Sequence, residues 1–529
     1  MSSKGYLVIN LHAHLPFINH QEKDYIEENW FFEAVAESYI PFIKMVDGLV
    51  KDGIRPALTL SLSPTLGAML ENDNLEKKLK RYLNSRLDLI EKEYARAGNE
   101  GALNALKIYQ NLYEDAVETV VKYSGDLITP LKQFQHSNDI EIITTSATHS
   151  VLPLLVQKEA VNAQIAMAVE DYKDRFNKAP SGFWLPECAY DERLPECLKL
   201  NNLKYFFLES NAVESAARNG VFSAYSTQND VNFFLRDSVS SMEVWSSQFG
   251  YPGNEYYREF YRDIGYDRET EYLKPFTNSE LRIPTGLKYH RITGKNCDLA
   301  DKEYYDREKA LEAVDRDASD FLEKRVAQMN ELSEKLQAKP LIVNCYDAEL
   351  FGHWWFEGPA FLDKVIRKIR QDRIPLQIVT PSEYLEISQA PQKMEPNVSS
   401  WGENGYFDPW LNQENDFLHD KIYEINQRMV SVANRFKNQD LKNATSRALN
   451  QAAREVLLLQ SSDWPFMLHT GSHAQYALEA FHGHLKNADK LIKGILEKNL
   501  DEAFLSRLEK EHNIFPRMDF RIFCSKSSF

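Results

Sequence analysis

The sequence predicts an α/β barrel with helical insertions, followed by an all-helical domain. Three observations carry this expectation. Short apolar runs rich in Val, Ile, Phe and Tyr recur through the first three-quarters of the chain. Helical periodicity fills most of the gaps, and the runs are apolar nearly throughout, as parallel strands covered on both faces are. Beyond a stretch rich in Pro, Ser, Asn and Gly at 387–412, no further run of this kind occurs.

In order, the runs are YLVINLHAH (6–14), PALTLSL (56–62), IEIITTS (140–146), GFWLPE (182–187), KYFFLES (204–210), VNFFLRD (231–237), PLIVNCYD (340–347) and PLQIVT (375–380). Strand–helix alternation over this length reads as a (β/α) barrel. Residues 71–125 (ENDNLEKKLKRYLNSRLDLIEKEYARAG…) form a charged helical insert, and 238–300 an aromatic, loop-rich one containing GYPGNEYYREFYRDIGYD. In the last part, Ile422, Ile425, Met429, Val432 and Phe436 repeat at helical spacing, as do Ala452, Val456 and Leu459. The expected domains are a barrel over 1–395 and a helical domain over 396–529.

Composition narrows the function. With 529 residues, the chain exceeds one ordinary core. A formal net charge of −16 disfavours nucleic-acid and anionic-membrane partners, which need excess Lys and Arg. No apolar run reaches the roughly 18 residues of a membrane span, and MSSKGYLVIN lacks the pattern of a secretory leader, so a cytoplasmic location is expected. The five Cys show no C-x-x-C spacing, which argues against a disulfide framework or a structural zinc site. Eight Trp, 26 Tyr and 29 Phe fit either a rich core or a sugar site, where ring faces cover the apolar face of a glucose.

In a parallel barrel the reactive groups stand at the C-terminal ends of strands. The first run ends in His12 and His14, which share a face with Asn10, while Leu7, Ile9, Leu11 and Ala13 take the other. A polar face inside a barrel is costly unless it binds something. The pair could hold a divalent metal with His149 and Asp347, hydrogen-bond a polar ligand, or simply pack. Glu187 ends the fourth run. Asp347 ends the seventh, followed by Glu349, His353, Trp354 and Trp355. Two carboxylates at two strand ends among aromatics suit glycoside chemistry: one attacks the anomeric carbon and the other protonates the leaving oxygen. Asp463, beside Trp464 and Phe466, reads from the residues alone as a helix N-cap with an aromatic staple.

Six stretches, in order, resemble the motifs of glycoside hydrolase family 57: LHAHLPF, SATHSVLPLL, GFWLPECAY, YDAELFGHWWFEGP, SSWGENGYFDPWLN and SSDWPF. The resemblance extends to the branch of 1,4-α-glucan branching enzymes and their α-amylase relatives. It implies a distorted (β/α)7 barrel, a C-terminal helical domain and a retaining mechanism, with Glu187 as nucleophile and Asp347 as general acid/base. It implies sugar-binding roles for His12, His14, Trp30, His149, Trp245, His353, Trp354, Trp401 and Trp410, and makes Asp463 a cleft carboxylate rather than a cap. It implies neither metal nor cofactor, and an α-1,4-glucan (amylose, glycogen or maltooligosaccharide) as substrate. The segment 209–230 departs from the branching pattern. It is short, has no Tyr before Tyr225, and keeps an α-1,4-glucan hydrolase as the alternative. HTGSHAQYA, downstream of Asp463, departs as well. A metal-dependent deacetylase or amidohydrolase is a distant third reading.

Overall fold

The computed structural model describes residues 3–21, 26–213, 219–277, 279–336, 339–388, 390–441 and 444–525. Each of the eight apolar runs contains a strand: β1 (Gly5–Ala13), β2 (Leu58–Leu62), β3 (Ile140–Thr145), β4 (Gly182–Trp184), β5 (Tyr205–Leu208), β7 (Asn232–Leu235), β8 (Leu341–Asp347) and β9 (Leu376–Ile378). Two short strands, β6 (Tyr225–Ser226) and β10 (Gln392–Lys393), extend one edge. The order is β10-β6-β7-β5-β4-β3-β2-β1-β8, with β9 beside the start of β1. All pairings are parallel except β6 with β7. Backbone hydrogen bonds from Asp237 N to Val343 O and from Leu341 N to Phe222 O draw the far side of the curled sheet onto β8. This is the expected (β/α)7 architecture.

The alternation of β1 separates two cores. Leu7, Ile9, Leu11 and Ala13 pack outward in the main core, with residues of the surrounding helices. Val8 faces inward, in a second core with Val343, Cys345, Trp184, Phe207 and Phe234. Register then fixes the layers above it: Val8 pairs with Val343, Asn10 with Cys345, and His12 with both Asp347 and Ser61. The polar side chains thus begin where the apolar barrel interior ends.

Helix α1 (Glu28–Ala34) passes through a π-turn at Val35–Tyr39 into α2 (Ile40–Lys51). The wider turn presents Glu37, Ser38 and Tyr39 consecutively toward the loop after β8. Gly352 in that loop has φ of 120°, and a Cβ there would lie 1.8 Å from Glu37 O, so only glycine permits the approach. The charged insert forms α3 (Asp73–Tyr94) and α4 (Glu100–Lys122), capped by Asn72 and Asn99. The aromatic insert is mostly loop, with short helices such as Ser238–Trp245. Long helices α5 (Lys158–Phe176), α6 (Arg307–Lys335) and α7 (Gly358–Gln371) line the barrel exterior.

From Asp416 the regular elements are helical: α8 (Asp416–Phe436), α9 (Ala444–Leu459), α10 (Asp463–Thr470), α11 (Ala474–Glu497) and α12 (Glu502–Glu511). Helix α9 is central, and its Leu449, Ala452, Ala453 and Val456 are fully buried. The helices dock onto the barrel through Gln164, which donates to Gln460 Oε1 at 2.8 Å, and through Ser462 N, which donates to His149 O at 3.1 Å. Among the described residues, no helix is long and apolar enough to cross a membrane.

Candidate active site

Turns at the ends of β3 and β4 carry the centre of the site. His149 (φ 56°), Glu187 (φ 62°) and Cys188 (φ 49°) are non-glycine residues with left-handed backbones. Each such residue costs roughly 1–3 kcal/mol and persists only where its surroundings impose it. Here the turns swing His149 and Glu187 back over the strand ends.

Glu187 is held on both oxygens. Trp401 Nε1 donates to Oε2 at 2.8 Å, and Ser462 Oγ donates to Oε1 at 3.2 Å. A chain of contacts runs on from Ser462. His149 Nδ1 lies 2.8 Å from Ser462 Oγ, His149 Nε2 lies 2.8 Å from His12 Nε2, and His12 Nδ1 lies 3.0 Å from Ser61 Oγ. One set of tautomers serves an ionised Glu187. The Ser61 hydroxyl donates to His12, His12 to His149, His149 to Ser462, and Ser462 to Glu187. Burial, together with neighbouring histidines, lowers both His12 and His149 well below the ordinary imidazole range and keeps them neutral. The rings pile together: His14 on His149 at 3.8 Å, and His12 on Trp184 at 4.8 Å.

The helical domain completes this cluster. Asp463 Oδ2 lies 3.1 Å from His14 Nε2 and accepts from Ser461 Oγ at 2.5 Å. Burial would raise Asp463, but His14 and the Ser461 hydroxyl hold it below its ordinary value.

Asp347 sits beside His12 in register on β8 and borders a cavity of about 1000 Å³. Three carboxyls here are pushed up. Burial raises Glu187 to about 8, with Asp347 and Asp463 adding like charge against the pull of Trp401 and Ser462. Burial raises Asp347 to about 6, opposed by Arg236 and His14. Burial and the Asp347 charge raise Glu349 to about 8, although the Tyr39 hydroxyl donates to it. Arg236 pairs with Glu209 at 2.9 Å, and its guanidinium lies 5.5 Å from the Trp401 ring.

The remaining expected residues are spread more widely. Trp245 and Trp354 are exposed on the wall of the large cavity, and Trp354 stacks on Phe260 at 5.0 Å. His353 meets Glu37 through Nδ1 at 3.0 Å and lies edge-on to Phe260 and Trp354. Trp410 is buried and stacks against Phe466 at 6.4 Å. Trp30 meets His473 and Tyr476 edge-on, at 4.7 and 5.9 Å. Five residues near the site were not singled out from sequence: Ser462, Ser61, Arg236, Tyr39 and Phe260. Ser462 adjoins Asp463 in SSDWPF, so that motif held a signal for it. For the others, sequence offers no register to mark them. Of the segment 209–230, residues 214–218 lie outside those described. Glu209 at its start is fixed by Arg236, and Asn211 Nδ2 donates to Ser400 O at 3.3 Å.

Comparison with known proteins points to the family that the motifs resemble. The model of glycosyl hydrolase family 57 matches residues 8–323, and that of the 1,4-alpha-glucan branching enzyme C-terminal region matches 421–523. The 1,4-alpha-glucan branching enzyme of Thermococcus kodakarensis is 31% identical over 97% of this chain and 77% of its own length. A crystal structure of a family 57 branching enzyme from that archaeon, in complex with glucose, has a TM-score of 0.89 and covers 99% of this chain and 97% of the other. The alpha-amylase AmyC of Thermotoga maritima has a TM-score of 0.91 and 38% identity, covering 99% of this chain and all of that one (100%). The branching enzyme of Pyrococcus horikoshii has a TM-score of 0.90 and 29% identity, covering 99% and 97%. With its model spanning more than half of the sequence, the chain belongs to glycosyl hydrolase family 57.

Proposed function

We propose that the protein is a retaining 1,4-α-glucan branching enzyme. Its catalytic unit is the barrel over 1–395, completed by the helical domain over 396–529. An α-1,4-glucan lies across the barrel mouth. Glu187 attacks C1 of one glucose while Asp347 gives a proton to the departing 4-oxygen. The glycosidic C–O bond breaks and a β-glucosyl ester forms on Glu187. Asp347 then takes the proton of an acceptor 6-hydroxyl, whose oxygen attacks C1 and releases Glu187. Two inversions restore the α-configuration. On this reading the carboxyls stand roughly 5–5.5 Å apart, as retention requires. Asp463, His12, His14 and His149 hold sugar hydroxyls. Trp30, Trp245, His353, Trp354, Trp401 and Trp410 line the donor and acceptor paths. No metal or cofactor takes part, and the protein works in the cytoplasm.

One observation carries the reading: Glu187 and Asp347 are both raised by burial, and the Asp347 charge adds to the rise of Glu187. Without substrate, Glu187 is raised to about 8 and Asp347 to about 6, so Glu187 holds a proton the more firmly of the two. Attack needs the reverse. Substrate supplies it, because an electron-poor C1 against Glu187 favours its anion while the leaving oxygen against Asp347 calls for an acid.

A second reading is hydrolysis by water in place of the 6-hydroxyl. The 38% identity to the Thermotoga amylase favours it, as does the short segment 209–230. Incubation with amylose separates the two. Branching lowers iodine staining without releasing equivalent reducing ends, and isoamylase then frees short chains. Reducing ends alone, with nothing for isoamylase to cut, would establish hydrolysis and reject branching.

A further inference from the structure

Away from the cleft, the described residues contain one group of three side chains placed so that they could hold a metal ion: Glu455, His484 and His512. A ligand-capable atom of each lies within 4.8 Å of the others. They come from α9, α11 and the residue just after α12.

Glu455 is fully buried, and its carboxylate accepts four hydrogen bonds. His484 Nδ1 at 2.8 Å and Asn487 Nδ2 at 3.2 Å meet Oε2. His512 Nδ1 at 2.6 Å and Gln451 Nε2 at 2.8 Å meet Oε1. A carboxylate has about four acceptor positions, so Glu455 is saturated and orients its neighbours. Both imidazoles present Nδ1–H to it, which leaves Nε2 as the nitrogen able to bind a ligand. His484 and His512 also line a cavity of about 420 Å³ that Glu455 does not reach, and Glu479 and Glu511 share that lining. The two rings stand 4.7 Å apart, centroid to centroid, and both border that cavity.

Imidazoles fixed through Nδ1–H by a carboxylate, with Nε2 open, are arranged as zinc-binding histidines are. We propose that His484 and His512 bind one divalent cation of the zinc class through Nε2, with Glu511 or Glu479 and water completing the shell. Neither histidine hydrogen-bonds Glu187 or Asp347. The ion therefore clasps α11 to the end of α12 and leaves the chemistry of the cleft alone. Metal that binds only the folded state raises its melting temperature by mass action.

The test uses the full-length protein, stripped with a chelator and titrated with zinc sulfate. One equivalent bound, a raised melting temperature and unchanged glucan turnover are expected. The His484→Gln/His512→Gln double variant, shown folded by circular dichroism, loses that equivalent. Cys297→Ser and His14→Gln keep it, which excludes a thiol and the cleft histidines. No uptake by the wild type, uptake surviving in the double variant, or uptake lost instead in His14→Gln or Cys297→Ser would overturn the proposal. If the double variant does not fold, X-ray absorption of the zinc-loaded wild type decides. Two imidazole nitrogens support the site; a sulfur or all-oxygen shell contradicts it.

Discussion

Two glutamates withdrawn from solvent, Glu187 at the barrel mouth and Glu455 in the helical domain, end in opposite states. Burial alone would raise both. Around Glu455, His512 and His484 reverse that effect and hold the carboxyl well below its ordinary range. Around Glu187 there are two donors, Trp401 and Ser462, and two carboxylates of like sign, so it rises to about 8. A fully satisfied charge is a structural tie. An under-satisfied charge beside another carboxylate is a reagent held at a cost to stability.

The largest expected effects test that division by substitution. Glu187→Gln and Asp347→Asn should each lower turnover by at least about 10³-fold, since each removes a group that acts in the transition state. Their stability should move little or increase, because each amide replaces a carboxyl whose charged form burial disfavours. Glu455→Ala should do the reverse. It should cost about 3–5 kcal/mol, as expected when one partner leaves a buried ion pair. Its turnover per folded molecule should stay near wild type. Thermal unfolding beside steady-state kinetics measures both, and matching stability losses at the two glutamates would erase the contrast.

Trp401→Phe removes one donor from Glu187 and keeps most of the ring. Turnover should fall by about 10- to 100-fold, equivalent to one or two tenfold steps of about 1.4 kcal/mol. The pH profile of kcat/KM should also shift, because Glu187 loses a hydrogen bond that favours its anion.

In the wild type that profile should be bell-shaped. The pair works with one proton, so activity falls below about 6, where both groups are protonated, and above about 8, where neither is. Stability follows separate signs. Glu187 is raised, so its contribution is complete below the ordinary glutamate value and is lost as pH climbs through about 8. Glu455 is depressed, so its contribution holds above the ordinary value of about 4.3 and fades as pH falls below it. Unfolding measured across pH should therefore show an alkaline loss that Glu187→Gln removes and an acid loss that Glu455 variants remove.

The smallest effect is expected at the cavity wall. Trp354 is 56% exposed and stacks on Phe260, so Trp354→Ala should raise KM several-fold for long glucans and leave kcat nearly unchanged.

Local chemistry explains what the sequence could reveal. The eight apolar runs became strands because buried parallel strands are apolar throughout, and the β1 alternation put His12 and His14 on the inner face as spacing required. Glu187 and Asp347 were visible because they end such runs. Partners contributed by distant segments were not. Ser462 reaches Glu187 across 275 positions, and Arg236 touches the site only through register and packing. The π-turn that delivers Tyr39 to Glu349 leaves no mark in residue spacing. Trp410, expected in the cleft from its motif, is buried and stacks on Phe466, which borders the large cavity.

The central claim is that Glu187 forms the covalent bond and Asp347 moves the proton. Azide rescue with an activated α-glucoside tests it most directly, because the anomer of the glucosyl azide reports which group was lost. Glu187→Ala should yield the β-azide by a single displacement. Asp347→Ala should yield the α-azide through the intact glucosyl–enzyme. The opposite pairing of anomers, or a β-azide from both variants, would contradict it.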